Sequence, residues 1–116
     1  MNKVVVAGML KAASAAAVAM IALATLPAEA AEVVEVGIAR MQFEPQQLKV
    51  RPGTTVKWVN NEKRTSHSIL FEQEGMPESE RFFPGESWQR TFEKPGVYSY
   101  RCGPHPEMTG TVEVAP

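Results

Sequence analysis

Residues 96–108 read GVYSYRCGPHPEM, and this stretch decides the fold. Its first seven residues alternate, so that a β-strand would present Tyr98, Tyr100 and Cys102 on one face. Two aromatic rings on that face indicate a packed interior. The cysteine at the end of the strand is therefore directed into the same interior, directly before a loop that contains His105 and two prolines.

Short β-rich runs extend outward from this stretch, separated by Gly, Pro and Asn at intervals typical of an antiparallel sandwich. We predict an all-β domain, and no run reads as a long amphipathic helix. The turns Arg51-Pro52-Gly53 and Lys94-Pro95-Gly96 suit connections between strands, because glycine readily adopts positive φ. The predicted strands are Val33 to Ile38, Gln47 to Val50, Thr55 to Asn60, Ser66 to Phe71, Ser87 to Phe92, Gly96 to Cys102 and Thr109 to Val114.

The N-terminal residues 1–30 have the pattern of a cleaved secretory signal peptide. A positive start at Lys3 precedes the apolar run AASAAAVAMIALATL at residues 12–26, and Ala28-Glu29-Ala30 supplies small residues at a cleavage site. The uncharged run is shorter than the ~20 residues that a membrane-spanning helix needs. We expect cleavage after Ala30, which leaves residues 31–116 as one exported domain.

Cysteine content and charge narrow the classes of partner. The 116-residue chain has one cysteine, so a disulfide framework is excluded, and a metal is the natural restraint for so small a domain. Without Lys3, Lys11 and Glu29, the 12 basic and 13 acidic residues fall to 10 and 12, a net charge of −2. We therefore expect neither nucleic acid nor an anionic membrane as a partner, since both require a basic patch.

Four side chains form a candidate metal site. Cys102, His105 and Met108 follow one another at three-residue spacing, and His67 lies 35 residues before Cys102. Two imidazoles, one thiolate and a weak axial thioether are the donors of a type 1 copper site. Structural zinc sites do not use thioethers, and iron–sulfur clusters need more than one cysteine.

Each of these residues also has an ordinary structural interpretation when it is considered alone. Cys102 could be a small buried hydrophobe, His67 a polar loop residue and Met108 a core filler. However, the chain contains only two histidines and one cysteine, and all three fall within the set. The combined pattern favours metal binding.

The motifs of the presumed mature chain resemble those of the cupredoxins, in particular the amicyanin and plastocyanin group. The three-residue step from His105 to Met108, with Pro104 and Pro106 on either side of the histidine, resembles the short ligand loop of amicyanin. The matching segments, in chain order, are Phe43-x-Pro45, Leu48-x-Val50, Gly53, Val56-x-Trp58-x-Asn60, the His67 segment, Gly96-Val97-Tyr98-x-Tyr100-x-Cys102 and the Cys102 to Met108 loop.

The resemblance implies a Greek-key β-sandwich of seven or eight strands with one copper ion, Cu(II) or Cu(I), beneath the loops at one end. It also implies a monomeric periplasmic electron carrier whose His105 is the exposed ligand. Redox proteins, such as a dehydrogenase or a c-type cytochrome, would dock transiently around Gly103, Pro104 and Pro106. The alternative that we retain is a periplasmic copper storage or delivery protein. An enzyme is not expected, because copper enzymes need additional copper ligands.

Three residues depart from the family pattern. Ser68 replaces the usual Asn that ties the two ligand loops together, so neither that tie nor the redox potential follows from the resemblance. Glu107 stands where an apolar residue would extend the docking rim, and Arg101 stands where plastocyanin has an exposed Tyr. The Glu-rich connection at residues 72–86 is interpreted as a solvated loop, with steering of a basic redox partner as the alternative.

Overall fold

The computed structural model describes residues 32–116, which form two β-sheets packed face to face. One sheet has the strand order β2-β1-β4-β5 and the other has the order β3-β7-β6. The strands are β1 (Val33–Ala39), β2 (Gln42–Glu44), β3 (Gln47–Val50), β4 (Thr54–Asn60), β5 (Ser87–Phe92), β6 (Gly96–Arg101) and β7 (Thr109–Val114). A single 3-10 turn at Glu72–Glu74 is the helical element of the described residues.

The predicted all-β sandwich is confirmed, as are the approximate positions of six predicted strands. The sheets are mixed, because β1 pairs with β4 in parallel and β3 pairs with β7 in parallel, while the other strand pairs are antiparallel. Each parallel pair joins strands that are not consecutive in the chain. The chain therefore crosses from one sheet to the other more than once. The strand β2 was not predicted, since its three residues are too few to show alternation.

The predicted strand from Ser66 to Phe71 is wrong. This segment makes two isolated bridges, one between His67 and Phe82 and one between Leu70 and Arg101. Between them, the Ile69 N–H donates to the Ser79 hydroxyl at 2.8 Å. Because successive residues bond to different partners, no continuous ladder forms, and the consecutive residues His67, Ser68 and Ile69 are all buried.

The core lies between the sheets and is built around aromatic rings. Trp58 of β4 and Tyr100 of β6 are both buried, and their ring centroids are 5.2 Å apart. Phe71 and Phe92 complete the centre of the cluster. Burial raises the pKa of Tyr100 to about 12, so its phenol stays neutral near pH 7. The predicted interior position of Tyr100 is confirmed, while Tyr98 is partly buried at the margin of the core, as is Trp88.

The predicted signal peptide at residues 1–30, together with cleavage after Ala30, lies outside the described residues. Within residues 32–116, no helix is long and apolar enough to cross a membrane.

Candidate metal centre

His67, Cys102 and His105 meet at one end of the sandwich. The Cys102 sulfur lies 3.5 Å from Nδ1 of His67 and 3.4 Å from Nδ1 of His105. The three donor atoms all lie within 4.8 Å of one another, which is close enough for one ion to contact all three. The sequence prediction that these residues share a site is consistent with this convergence.

Backbone hydrogen bonds shape the loop that carries Cys102, His105 and Met108. The Cys102 N–H donates to the Met108 carbonyl at 3.0 Å, and the Met108 N–H donates to the His105 carbonyl at 2.9 Å. These two bonds close the loop at its base, directly beyond the last pair of the β6–β7 ladder. Met108 is 2% exposed, so its side chain is buried, and its backbone is bonded to Cys102 and His105.

The site is deeply enclosed except at His105. His67 and Cys102 have no exposed surface, whereas His105 is partly exposed. Burial lowers the pKa of His67, the nearby His105 lowers it further, and the Glu62 carboxylate opposes both effects. A lowered pKa favours the neutral imidazole, which is the form that can bind a metal ion.

Glu62 faces the far side of the His67 ring. Its Oε1 lies 3.6 Å from Nε2 of His67, and the same carboxylate accepts the Met41 N–H at 2.7 Å. The Glu62 N–H in turn donates to the side-chain oxygen of Asn60 at 2.9 Å. A carboxylate behind a histidine orients the ring and increases its basicity as a metal ligand. Here the 3.6 Å separation is longer than a hydrogen bond, and Nε2 of His67 has no hydrogen-bond partner within residues 32–116, so the carboxylate faces Nε2 as a neighbouring charge while Nδ1 faces Cys102.

Asn60 organises the approach to His67 from the end of β4. It is fully buried, and its side-chain amide donates to the carbonyls of Thr65 at 2.8 Å and Phe82 at 3.0 Å. Asn60 therefore holds the turn that precedes His67 and the segment that pairs with it. Neither Asn60 nor Glu62 was predicted to belong to the site. The spacing of five residues between Glu62 and His67 matches no recognisable motif.

The sulfur of Cys102 is held from the His67 side of the site. The backbone N–H of Ser68 donates to the Cys102 sulfur at 3.4 Å. The Ser68 hydroxyl accepts the Gly103 N–H at 3.0 Å, which links the two ligand segments a second time. The tie between the two ligand segments, which the sequence left open, is therefore made by the shorter side chain of Ser68.

Arg101 organises the chain on the other side of Cys102. Its guanidinium donates to the carbonyls of Cys102 at 3.0 Å and Gly103 at 2.9 Å, and it is paired with Glu72. A side chain at this position thus supports the ligand loop. Arg101, which stands where plastocyanin has an exposed Tyr, therefore has a structural role in this chain.

The Glu-rich connection is largely exposed, as expected of a solvated loop, and several of its carboxylates also make specific contacts. Glu74 forms a bidentate pair with Arg90, with both N–O distances 2.8 Å, and Glu86 accepts the Phe83 N–H at 2.8 Å. Glu78 accepts the Ser68 hydroxyl at 2.6 Å. The contacts of Glu74 and Glu78 join residues that are ten or more positions apart in the chain, so local composition could not reveal them.

A two-sheet sandwich with two imidazoles and one thiolate gathered beneath its end loops, and a buried methionine beside them, defines the cupredoxin class. The chain belongs to the family described as "Copper binding proteins, plastocyanin/azurin family", whose sequence profile matches residues 30–115. Copper is the metal of this electron-transfer family, and the donor set observed here fits it.

Individual relatives agree with this assignment. Amicyanin from Paracoccus denitrificans is 36% identical over 115 residues, which cover 89% of this chain and 87% of the relative. Plastocyanin from Scenedesmus fuscus is 36% identical over 84 residues, covering 62% of this chain and 85% of the relative. The solved Cu(I) form of an amicyanin variant matches with a TM-score of 0.68 and 31% identity, over 74% of this chain and 85% of that structure.

Proposed function

We propose that this protein is a periplasmic one-electron carrier in which His67, Cys102, His105 and Met108 hold one copper ion that cycles between Cu(I) and Cu(II). The observation that carries the proposal is the convergence of three donor atoms within 4.8 Å of one another. Copper, when bound, supplies a one-electron redox couple. The chain's own residues supply the other properties that a carrier needs, which are fixed ligands and an exposed route for electrons.

The nature of the donors supports copper over zinc. Thiolate and thioether sulfur suit Cu(I), and imidazole with a charged thiolate suits Cu(II). A zinc site would normally draw its ligands from Cys, His and carboxylates. Met108 is enclosed beside Cys102 and His105, where a thioether is of use to copper and of little use to zinc.

The contacts that hold the proposed ligands in place favour electron transfer over copper delivery as the function. Ser68 holds the Cys102 sulfur, Glu62 faces His67, and backbone bonds close the ligand loop. A site whose ligands are fixed in advance needs little rearrangement when the charge of its ion changes. Delivery to another protein would instead require ligands that a second molecule can reach. His67 and Cys102 are fully buried.

The partly exposed His105 is the proposed port for electrons. It is flanked by Pro104, which is partly buried, and Pro106, which is exposed. Together with Gly103 they form a small, weakly polar rim that suits transient docking of a monomeric carrier to larger redox proteins. A dehydrogenase or a c-type cytochrome is the kind of partner that we propose. The periplasmic location rests on the signal-peptide pattern of residues 1–30.

The proposal is tested by adding Cu(II) to the purified protein and recording the visible spectrum. The expected result is an intense blue thiolate-to-copper band that ascorbate bleaches and ferricyanide restores over repeated cycles. Copper content is measured after each cycle in the presence of a competing copper chelator. Full retention supports a carrier, progressive transfer to the chelator supports storage or delivery, and the absence of a blue band contradicts both.

A further inference from the structure

The Ser68 hydroxyl lies between a carboxylate and the ligand loop. It donates to Oε1 of Glu78 at 2.6 Å and accepts the Gly103 N–H at 3.0 Å. A serine hydroxyl has one proton and two acceptor positions. Once its proton is directed to Glu78, the oxygen can present a lone pair to Gly103. Glu78 thereby sets the orientation of the group that ties the residue after Cys102 to the segment that carries His67.

The absence of a side chain at Gly103 makes this arrangement possible. A Cβ at this position would lie 1.5 Å from Oε1 of Glu78 and 2.6 Å from the Ser68 hydroxyl oxygen. The Glu78 carboxylate thus occupies the space that any other residue at position 103 would fill. Space is the requirement for glycine here.

The backbone around Glu78 is fixed independently of its side chain. The Ser79 N–H donates to the Ile69 carbonyl at 3.0 Å, and the Ile69 N–H donates to the Ser79 hydroxyl at 2.8 Å. These two bonds place Glu78 beside Ser68. The Glu78–Ser68 contact is therefore a product of the fold, even though Glu78 itself is an exposed residue.

We propose that Glu78 is a positioning residue of the copper site, acting through Ser68 on Gly103 and hence on the Cys102 thiolate. The Glu78 carboxylate fixes the direction of the Ser68 hydroxyl proton, and the Ser68 oxygen then holds the Gly103 N–H, which directly follows the thiolate residue. This inference rests on the ligand set of the proposed function. Its first measurement needs no copper, so the two proposals can fail separately.

The first measurement is hydrogen exchange of the Gly103 amide in the copper-free protein, followed by NMR. In Glu78→Ala the amide should exchange about tenfold faster, the effect expected when a hydrogen bond of ordinary strength is weakened. Glu78→Gln should exchange within about twofold of the wild-type rate, because its amide oxygen can still accept the Ser68 proton. The matched control is Glu80→Ala, which removes a charge from the same exposed loop and should leave the rate unchanged.

The second measurement concerns the copper protein. Glu78→Ala should shift the blue absorption band and speed copper loss to a chelator about tenfold, the lower end of the effect of residues that support metal ligands. Glu78→Gln should restore both. In a Ser68→Ala background, Glu78→Ala should have no further effect on either, because the two residues act in series.

Three results would overturn the inference. One is unchanged Gly103 exchange in Glu78→Ala, and a second is an equal effect of Glu80→Ala. The third is full additivity of the Ser68 and Glu78 substitutions, which would show that Glu78 acts by another route. If wild-type protein forms no blue site while Gly103 exchange responds as expected, the function proposal fails and the positional role of Glu78 stands.

Discussion

The backbone N–H of Ser68 points at the sulfur of Cys102, 3.4 Å away, and both residues are fully buried. Ser68 follows His67 directly, so one hydrogen bond joins the two chain segments that supply the proposed ligands. The sulfur is therefore held in place by the protein itself.

Cys102→Ser should abolish the blue colour. A hydroxyl cannot supply the thiolate-to-copper charge transfer, although it is small enough to fit the same buried position. Visible absorption after addition of Cu(II) is the measurement, with circular dichroism as the control for folding. A folded Cys102→Ser protein that remained intensely blue would refute the assignment of this ligand.

Met108→Leu should leave a coloured site with a shifted reduction potential. The axial thioether bond is weak, and leucine preserves most of the buried volume at a position that is 2% exposed. Redox titration of the blue band provides the potential. Complete loss of copper binding in a folded variant would show that Met108 holds the ion more strongly than an axial ligand should.

Glu62→Ala should weaken copper binding about tenfold or more, because it removes the carboxylate that orients the His67 ring. Affinity is measured by competition with a chelator. The control is Glu44→Ala, which removes an exposed carboxylate that pairs with Arg40 on the surface. Equal effects of the two substitutions would indicate general surface charge instead of ring orientation.

Gly110→Ala should destabilise the protein by about 2–3 kcal/mol, as overpacking of a core does. A Cβ at position 110 would lie 2.3 Å from the ring and hydroxyl of Tyr100, which is buried and cannot move aside. Denaturant unfolding of the copper-free protein measures the change. In a Tyr100→Leu background the same substitution should be much less harmful; an unchanged penalty would show that Tyr100 is not the obstacle.

Features that depend on residues close together in the sequence could be predicted well. The alternation of Tyr98, Tyr100 and Cys102 predicted the end of β6 and its direction into the interior. The small number of histidines and cysteines made the candidate ligands easy to recognise. The strand predicted from Ser66 to Phe71 failed because a short β-rich run does not show whether the segment has one continuous hydrogen-bonded partner, which a strand requires.

The residues that contact the proposed ligands from outside could not be predicted in the same way. Glu62 and Glu78 carry no motif, and their roles depend on distances to His67 and Ser68 that only the folded chain sets. Composition alone assigned Glu78 to a solvated loop. The replacement of the usual Asn by Ser68 left the tie between the ligand segments open, and only the folded chain shows that Gly103 comes close enough for the shorter side chain to reach.

The most direct test is X-ray absorption at the copper edge of the loaded wild-type protein. The ligand set proposed here predicts one short copper–sulfur bond and two copper–nitrogen bonds from imidazole. The sulfur bond should be missing in Cys102→Ser, and one nitrogen should be lost in His67→Ala. A copper shell without sulfur, or one unchanged by both substitutions, would contradict the claim that these side chains hold the ion.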